Sequence, residues 1–167
     1  DLTRPITQDA SIVFITSDTD SGLEVIRHDM AHVFAQAIKQ LYPQTQITIG
    51  PSIQNGFYYD IHHPSHQFNE EDFPKIEERM HKIIDENLPF VREVWTYDQA
   101  IAYFTSIGES FKVELIESIR QNFPDQELSV YTQGDFIDLC RGPHMPSTGY
   151  IPHAFKLMKV AGAYWRG

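Results

Sequence analysis

The feature that most constrains the fold of this chain is an apolar stripe of helical spacing that begins soon after residue 20. Its members recur three or four residues apart, apart from one adjacent pair: Leu23, Ile26, Met30, Val33, Ala37, Ile38 and Leu41. Residues at this spacing share one face of an α-helix, so the stripe predicts an amphipathic helix over about 22–42. Ser21 and Glu24 stand at the spacing of a capping box and predict where this helix begins. Such a helix requires a partner surface that buries its apolar face.

The rest of the chain alternates between strand-like and helical patterns. Two β-rich runs flank Asn55-Gly56, a pair that suits the positive φ angles of a type I′ hairpin turn. Alternation places Phe57, Tyr59 and Ile61 on one face of the second run. Further helices are predicted over about 70–88, 98–106 and 110–121, and strand-like segments at SIVFIT, VREVWT, LSVYTQ, DFIDLC and YIPHAFKLMKVAGAYW. We therefore predict an α+β fold, with a mainly antiparallel sheet packed against a long central helix and further helices.

Size, charge and cysteine content exclude several classes of protein. The 167 residues, 41% of them hydrophobic, suffice for one or at most two compact domains with a buried core. With 13 Lys and Arg against 23 Asp and Glu, the net charge of −10 argues against a non-specific nucleic-acid coat protein. The single cysteine, Cys140, permits no intrachain disulfide, and the sequence shows neither a signal peptide nor an apolar run of about 18 residues. We therefore expect a cytoplasmic protein without membrane contact.

Two pairs of residues that can bind metals or transfer protons stand out. His28 and His32 lie four apart on the predicted first helix, so both imidazoles project from one face. Cys140 ends a predicted strand, and His144 follows the turn after it. Three imidazoles and a thiolate form a credible zinc set, and four protein ligands would make a closed, structural site. Without a metal, the imidazoles would transfer protons while the thiol shapes the pocket or serves as a nucleophile.

The two pairs lie within a series of longer blocks that occur in the order RHDMAH, IGPSIQNGFYYD, GESFKVELI, FIDLCRGPH and FKLMKVAGAYWRG. With these blocks, the sequence from about Leu23 to Gly167 resembles the editing domain of bacterial-type threonyl-tRNA synthetases. Alanyl-tRNA editing proteins share the H-x3-H and C-x3-H pairs, whereas GPSIQNGFYYD and FKLMKVAGAYWRG indicate the threonyl branch. Residues 1–20 resemble the end of the TGS domain that precedes the editing domain, which would span 21–167. An aminoacylation domain follows in that family, and ATP and zinc are expected only there.

The resemblance implies a hydrolytic proofreading function. A synthetic site for threonine cannot strongly reject serine, because one missing methyl group changes binding by only about 1 to 3 kcal/mol. The editing site would hydrolyse the ester that joins serine to the terminal adenosine of threonine tRNA. A pocket too small for the extra methyl group of threonine would spare the correct product. The resemblance implies that editing requires no cofactor, so a zinc ion is not favoured.

The resemblance also implies roles for individual residues. The catalytic residues would be His28, Lys112 and His144, with His28 and Lys112 positioning or activating water. Substrate contacts would come from four further residues: His32, Tyr59, Asp138 and Cys140. Without the resemblance, Lys112 would be interpreted as a solvated lysine on an amphipathic helix. Asp29 and Met30, which lie between the two helical histidines, are predicted to point away from the histidine face.

The distribution of charge bears on the partners. No acidic residue follows Asp138, whereas four basic residues do: Arg141, Lys156, Lys159 and Arg166. This stretch is a candidate for contacts with tRNA phosphates or, equally, an ordinary solvated face. The expected partners are the acceptor end of threonine tRNA carrying serine and the remaining domains of a homodimeric synthetase. Two alternatives stay open: a zinc-stabilised binding module without catalysis, and a free-standing deacylase for another aminoacyl-tRNA.

Overall fold

The structure, a computed structural model, describes residues 5–162. Within these residues the helices are α1 (Asp20–Leu41), α2 (Phe73–Asp85), α3 (Tyr97–Ser106) and α4 (Ser110–Asn122). The strands are β1 (Gln46–Ile47), β2 (Ser52–Ile53), β3 (Gly56–Phe57), β4 (Ile61–His62), β5 (Phe90–Trp95), β6 (Leu128–Gln133) and β7 (Phe136–Leu139). Single 3-10 turns cover Glu70–Asp72 and Thr148–Tyr150. The mixture of helices with small antiparallel sheets confirms the predicted α+β fold class.

Helix α1 begins at Asp20, about one helical turn before the apolar stripe, because Thr19 is the residue that caps it. The Thr19 hydroxyl oxygen accepts a hydrogen bond of 3.1 Å from the backbone N–H of Gly22. This satisfies one of the donors that the first helical turn leaves free. The capping box predicted for Ser21 and Glu24 is therefore wrong, because Ser21 already lies inside the helix.

The second half of α1 is enclosed by the rest of the fold. Every residue in 29–38 is buried except Phe34, which is half-buried. The core that encloses this part of α1 contains Met30, Val33, Ala37, Ile38, Ile76, Met80, Ile83, Ile84, Phe90 and Tyr131. The predicted apolar stripe is thus largely the buried face, although Leu23 near its start is more than a third exposed. A second apolar cluster, formed by Ala100, Phe104, Ile116, Leu128 and Val130, lies between the α3–α4 pair and the sheet.

The main sheet is antiparallel, with strand order β5-β6-β7. Its registers pair Phe90 with Gln133 and Val130 with Leu139. Two buried glutamines join α1 to this sheet. Gln36 Nε2 donates to the carbonyl oxygen of Gln133 at 3.2 Å, and Gln133 Nε2 donates to Gln36 Oε1 at 2.8 Å. Because both contacts are buried, they fix the position of α1 along β6.

The predicted hairpin is present, but its turn differs from the prediction. Strand β2 pairs with β3 in a register that matches Ile53 with Gly56, so the connecting residues are Gln54 and Asn55. Among the described non-glycine residues only Asn87 has a positive φ, so the turn is not type I′. Strands β1 and β4 continue the same hairpin. The rings of Phe57 and Tyr59 lie 5.8 and 6.0 Å from that of Phe34 on α1, so packing on the helix sets the register.

Both ends of the chain depart from the predicted strands. The segment SIVFIT, residues 11–16, belongs to no strand and is exposed, and the division of the chain at residue 20 stays a prediction. The strand predicted after Tyr150 is wrong for residues 151–162, which contain no strand, while residues 163–165 lie outside the described range. The backbone N–H of Leu157 donates to Glu77 Oε1 of α2 at 2.7 Å instead of to a neighbouring strand. No described helix is long and apolar enough to cross a lipid bilayer.

The burial of α1 predicts a large effect of one substitution in its core face. Ile38→Asp would place an unpaired carboxylate among apolar side chains, since Ile38 has no exposed surface. We expect the free energy of unfolding to fall by on the order of 3 kcal/mol or more, measured by denaturant titration. Ile12→Asp, at a side chain that is 63% exposed, serves as the matched control and should change stability by less than about 0.5 kcal/mol. Equal stability of Ile38→Asp and the parent would contradict the packing of α1.

Candidate functional site

The two residue pairs singled out in the sequence converge on one point of the fold. His28 and His32 come from α1, Cys140 directly follows β7, and His144 lies in the loop beyond it. One ligand atom from each of the four side chains lies within 4.8 Å of the others. The ring centroids of His28 and His32 each lie 4.5 Å from that of His144. We call these four residues the histidine–cysteine cluster.

The Cys140 thiol is the centre of this cluster. Its Sγ lies 3.1 Å from His28 Nε2 and 3.3 Å from His144 Nε2, and the backbone N–H of Gly142 donates to it at 3.2 Å. Burial raises the pKa of the Cys140 thiol to about 12, so the group is protonated at neutral pH. A protonated thiol is a weak nucleophile, and this favours a pocket-shaping role over covalent catalysis unless a bound ligand changes its charge.

The two histidines of α1 are held in their neutral form. Burial, followed by the neighbouring His144 ring, lowers the pKa of His28 to about 4. Burial also lowers the pKa of His32 well below its ordinary value. The Nδ1 atom of His32 is buried without a hydrogen-bond partner among the described residues. Because an unpaired buried nitrogen is costly, this atom marks a position at which a substrate group or an ion would gain a contact.

Asp29 belongs to the site, contrary to the prediction that it points away. Its Oδ1 lies 2.6 Å from His144 Nδ1, and its Oδ2 accepts a hydrogen bond of 3.0 Å from the backbone N–H of Met145. Neither the Asp29 nor the His144 side chain has exposed surface. The prediction failed because α1 is enclosed on more than one side, so a residue outside the histidine face still meets protein. Met30 is buried in the main apolar core.

Burial and hydrogen bonding shift the pKa of the Asp29 carboxyl group in opposite directions. Burial raises the pKa of its carboxyl group, while the contacts with His144 and the Met145 N–H lower it. An aspartate directly before Met30 of the apolar stripe is a signal that the sequence offered, because a buried carboxylate requires a partner. The identity of that partner, 115 positions away in the sequence, was not accessible without the fold.

Lys112, Asp138 and Tyr59 form a second polar group next to the cluster. Lys112 Nζ of α4 lies 2.6 Å from Asp138 Oδ1 of β7, and both side chains are almost completely buried. The Tyr59 hydroxyl donates to Asp138 Oδ2 at 3.0 Å, and burial together with this carboxylate raises the pKa of Tyr59 well above its ordinary value. Asp138 stands two residues before Cys140, on the same side of the strand. The interpretation of Lys112 as a solvated lysine is therefore wrong.

The basic residues predicted to contact tRNA differ in their surroundings. Arg141 follows the central thiol directly and is exposed, and Lys159 is exposed as well. Lys156 Nζ lies 2.6 Å from Glu77 Oε2, so part of its charge is already compensated by α2. Arg166 falls outside the described residues. Of the residues predicted to contact tRNA, Arg141 is the one that directly follows a member of the cluster in the sequence.

The cluster fits the requirements of a zinc ion. Zinc bonds of about 2.0 to 2.3 Å in a tetrahedron place donor atoms roughly 3.3 to 3.8 Å apart, a spacing compatible with atoms that all lie within 4.8 Å of one another. Asp29 contacts His144 as an outer carboxylate often contacts a metal-bound imidazole. His28, His32, Cys140 and His144 would be the ligands. Four protein ligands would close the coordination shell, so the ion would act as a structural cross-link.

Comparison with known proteins identifies close relatives. Residues 128–163, which include β6, β7 and the loop of His144, match the threonyl and alanyl tRNA synthetase second additional domain. The whole chain is 58% identical to a threonine–tRNA ligase of Rhodospirillum rubrum, 56% identical to that of Hyphomonas neptunium and 55% identical to that of Maricaulis maris. The chain spans 25% of the length of each of these relatives.

The lowered pKa of His28 predicts a loss of stability in mild acid. The unfolded chain binds a proton at His28 near the ordinary pKa of 6.5, whereas the folded chain binds it only near pH 4. The unfolded state therefore binds more protons between these values, and stability falls as the pH is lowered through this range. We expect a smaller free energy of unfolding at about pH 5 than at about pH 7, measured by denaturant titration.

His28→Gln should reduce this pH dependence because it removes one of the groups responsible. His62→Gln, at an exposed histidine of the hairpin, is the control and should leave the dependence as in the parent. The assignment of a low pKa to His28 fails if His28→Gln and the parent lose the same stability over this pH range.

Proposed function

We propose that the chain is the editing domain of a threonine–tRNA ligase, because part of it matches the threonyl and alanyl tRNA synthetase second additional domain and all of it is similar to threonine–tRNA ligases. The proposed reaction is hydrolysis of the ester that joins serine to the terminal adenosine of threonine tRNA. The partners are the acceptor end of that tRNA, the remaining domains of the ligase and, in a homodimer, a second copy. The observation that best supports this proposal is the meeting of neutral histidines with the buried Lys112–Asp138 pair.

Water activation is assigned to His28. Because its pKa is about 4, the His28 imidazole is neutral at pH 7 and can accept a hydrogen bond from the attacking water. So weak a base orients the water more than it removes its proton before attack. As the oxygen of water bonds to the carbonyl carbon, its proton becomes acidic and passes to the imidazole. His28 and Cys140 are the partly exposed members of the cluster, so the ester approaches on their side.

Charge stabilisation is assigned to Lys112. Attack by water places a negative charge on the carbonyl oxygen of the ester, and a positioned cation in a water-poor site stabilises such a charge strongly. Lys112 supplies this cation, with Asp138 fixing its ammonium group. Collapse of the intermediate breaks the bond between the carbonyl carbon and the ribose oxygen. The ribose oxygen takes up the proton that His28 received from water, and His144 assists by orienting the Cys140 thiol beside His28.

Substrate binding is assigned to Asp138, Tyr59, His32 and Cys140. The carboxylate of Asp138 attracts the ammonium group of serine, and Tyr59 holds that carboxylate in place. The unpaired Nδ1 of His32 is a contact for a substrate hydroxyl. Arg141 and Lys159 are the proposed contacts for tRNA phosphates, with a smaller contribution from Lys156 because of its pairing with Glu77.

A second candidate function rests on the fit of the four ligand atoms to zinc. In that case the domain would be a binding module in which the metal joins α1 to the loop of His144, with no catalysis. A deacylase for another aminoacyl-tRNA is the third candidate and would use the same residues. Paired deacylation assays with seryl-tRNA and threonyl-tRNA separate these functions, since only the proposed editing domain hydrolyses the first and spares the second.

Two substitutions test the catalytic assignments. His28→Ala and Lys112→Ala should each lower the rate of seryl-tRNA deacylation by about a hundred- to ten-thousand-fold, because each removes a group that handles the proton or the charge. The assay should use this chain and a chimaera in which it replaces the matched quarter of the Rhodospirillum rubrum relative, which supplies the other domains.

The buried ion pair calls for a variant that keeps the fold. Lys112→Ala leaves the Asp138 carboxylate unpaired, so Lys112→Gln, which retains a hydrogen-bond donor without the charge, is the more informative change. Lys82→Gln, at an exposed lysine of α2, is the matched control and should leave the rate unchanged. Parental rates in folded His28→Ala and Lys112→Gln would refute the assignments and leave the terminal ribose of the tRNA as the candidate for activating water.

We propose that editing requires no zinc, and elemental analysis tests this. The expected zinc content of protein purified without chelators is far below one equivalent, because four protein ligands would leave no coordination site for water or the ester carbonyl. Deacylation should persist after dialysis against EDTA. One equivalent of zinc that disappears in Cys140→Ala would instead support the zinc-stabilised module.

A further inference from the structure

The carboxylate of Asp29 connects two hydrogen-bond partners of different character. The backbone N–H of Met145, 3.0 Å from Oδ2, can only donate a hydrogen bond. His144 Nδ1, 2.6 Å from Oδ1, can donate or accept according to the position of its proton. The ionised form of the carboxylate only accepts, and in that form this contact requires the proton of His144 to lie on Nδ1. The other ring nitrogen, Nε2, then carries a lone pair and lies 3.3 Å from Cys140 Sγ.

We propose that Asp29 is a positioning residue for hydrolysis, which holds His144 in the tautomer protonated at Nδ1 and thereby keeps the Nε2 lone pair directed into the histidine–cysteine cluster. This inference rests on the proposed editing function for its catalytic consequence, whereas the tautomer itself is a property of the folded chain. The site is suited to this role because both side chains lack exposed surface. Water therefore does not compete for Oδ1 or Nδ1.

The tautomer of His144 also determines the arrangement of protons around the thiol. Cys140 carries one hydrogen, which it can donate to His144 Nε2 at 3.3 Å or to His28 Nε2 at 3.1 Å. With the lone pair of His144 on Nε2, the thiol donates to His144. The contact between His28 and the sulfur then requires a hydrogen on His28 Nε2, which leaves the lone pair of His28 on Nδ1. Asp29 thus selects, through the hydrogen bonds of His144 and Cys140, which nitrogen of His28 is available to water.

Replacement of Asp29 by asparagine inverts this arrangement without changing the size of the side chain. Asparagine offers one acceptor oxygen and one donor NH2 group in place of two acceptors. The Met145 N–H requires the oxygen, since two donors facing each other in a buried site would be left unsatisfied. The NH2 group then faces His144 Nδ1, which must accept. The proton of His144 moves to Nε2 and points at the cluster.

The test compares the parent with Asp29→Asn by two measurements. Nitrogen-15 NMR of the imidazole rings reports directly which ring nitrogen of His144 carries the proton. We expect protonated Nδ1 in the parent and protonated Nε2 in Asp29→Asn. Single-turnover deacylation of seryl-tRNA by the Rhodospirillum rubrum chimaera should be slower in Asp29→Asn by on the order of a hundredfold or more. A thermal melt of each variant verifies the fold.

Matched controls and opposing outcomes make the test decisive. Asp20→Asn changes an exposed aspartate of the same helix and should alter neither the NMR signals of His144 nor the rate. The proposal is overturned if the parent carries its His144 proton on Nε2, if Asp29→Asn leaves the tautomer unchanged, or if the tautomer changes while the rate does not. A parent that fails to deacylate seryl-tRNA refutes the proposed editing function instead, and the NMR signals still decide the tautomer.

Discussion

The enclosure of the second half of α1 is the constraint on which the rest of the structure depends. Apolar residues of this segment pack against α2 and the sheet, so the helix cannot be displaced without opening the core. The same enclosure denies water to every polar group that the segment carries. Asp29 and Gln36 therefore form hydrogen bonds with distant parts of the chain. The Nδ1 atom of His32 has no hydrogen-bond partner among the described residues. One packing arrangement thus both stabilises the fold and assembles the site.

Buried charges connect the remaining elements to this helix. Asp138 of β7 receives Lys112 from α4 and Tyr59 from the hairpin, so three separate elements meet on one carboxylate. Glu109, at the start of α4, likewise accepts from Lys39 of α1 and from the backbone of Ile47. Buried ion pairs contribute little net stability because both charges lose their hydration, but removal of one partner is strongly destabilising. Such pairs therefore specify one arrangement of the elements, and the proposed catalytic groups among them cannot be altered without consequences for the fold.

The sequence indicated contacts between residues that are close in the sequence, but not contacts between distant segments. The H-x3-H and C-x3-H pairs were identifiable because helix geometry and a single turn bring their members together locally, and relatives of the chain confirm the resemblance that these blocks indicated. The contact of Asp29 with His144 and the burial of Lys112 depend on packing between distant segments, which spacing does not encode. Long-range contacts are also present in the two mispredicted segments, where Phe57 of the hairpin packs on Phe34 of α1 and the backbone of Leu157 donates to Glu77 of α2.

Selectivity in the proposed reaction places a further demand on this architecture. Serine makes fewer contacts than threonine, so a site that hydrolyses the serine ester and spares the threonine ester cannot select by attraction and must exclude a methyl group. The methyl group of threonine is excluded only if the side chains that line the site are rigid, since a side chain that can change rotamer accommodates one extra methyl group at low cost. In this fold the polar residues around the cluster are each held from a second element: His144 by Asp29, Asp138 by Lys112 and Tyr59, and Cys140 by its contacts with His28 and the Gly142 backbone. The rigidity of these hydrogen-bonded walls, more than the strength of any one contact, is what discrimination against threonine requires.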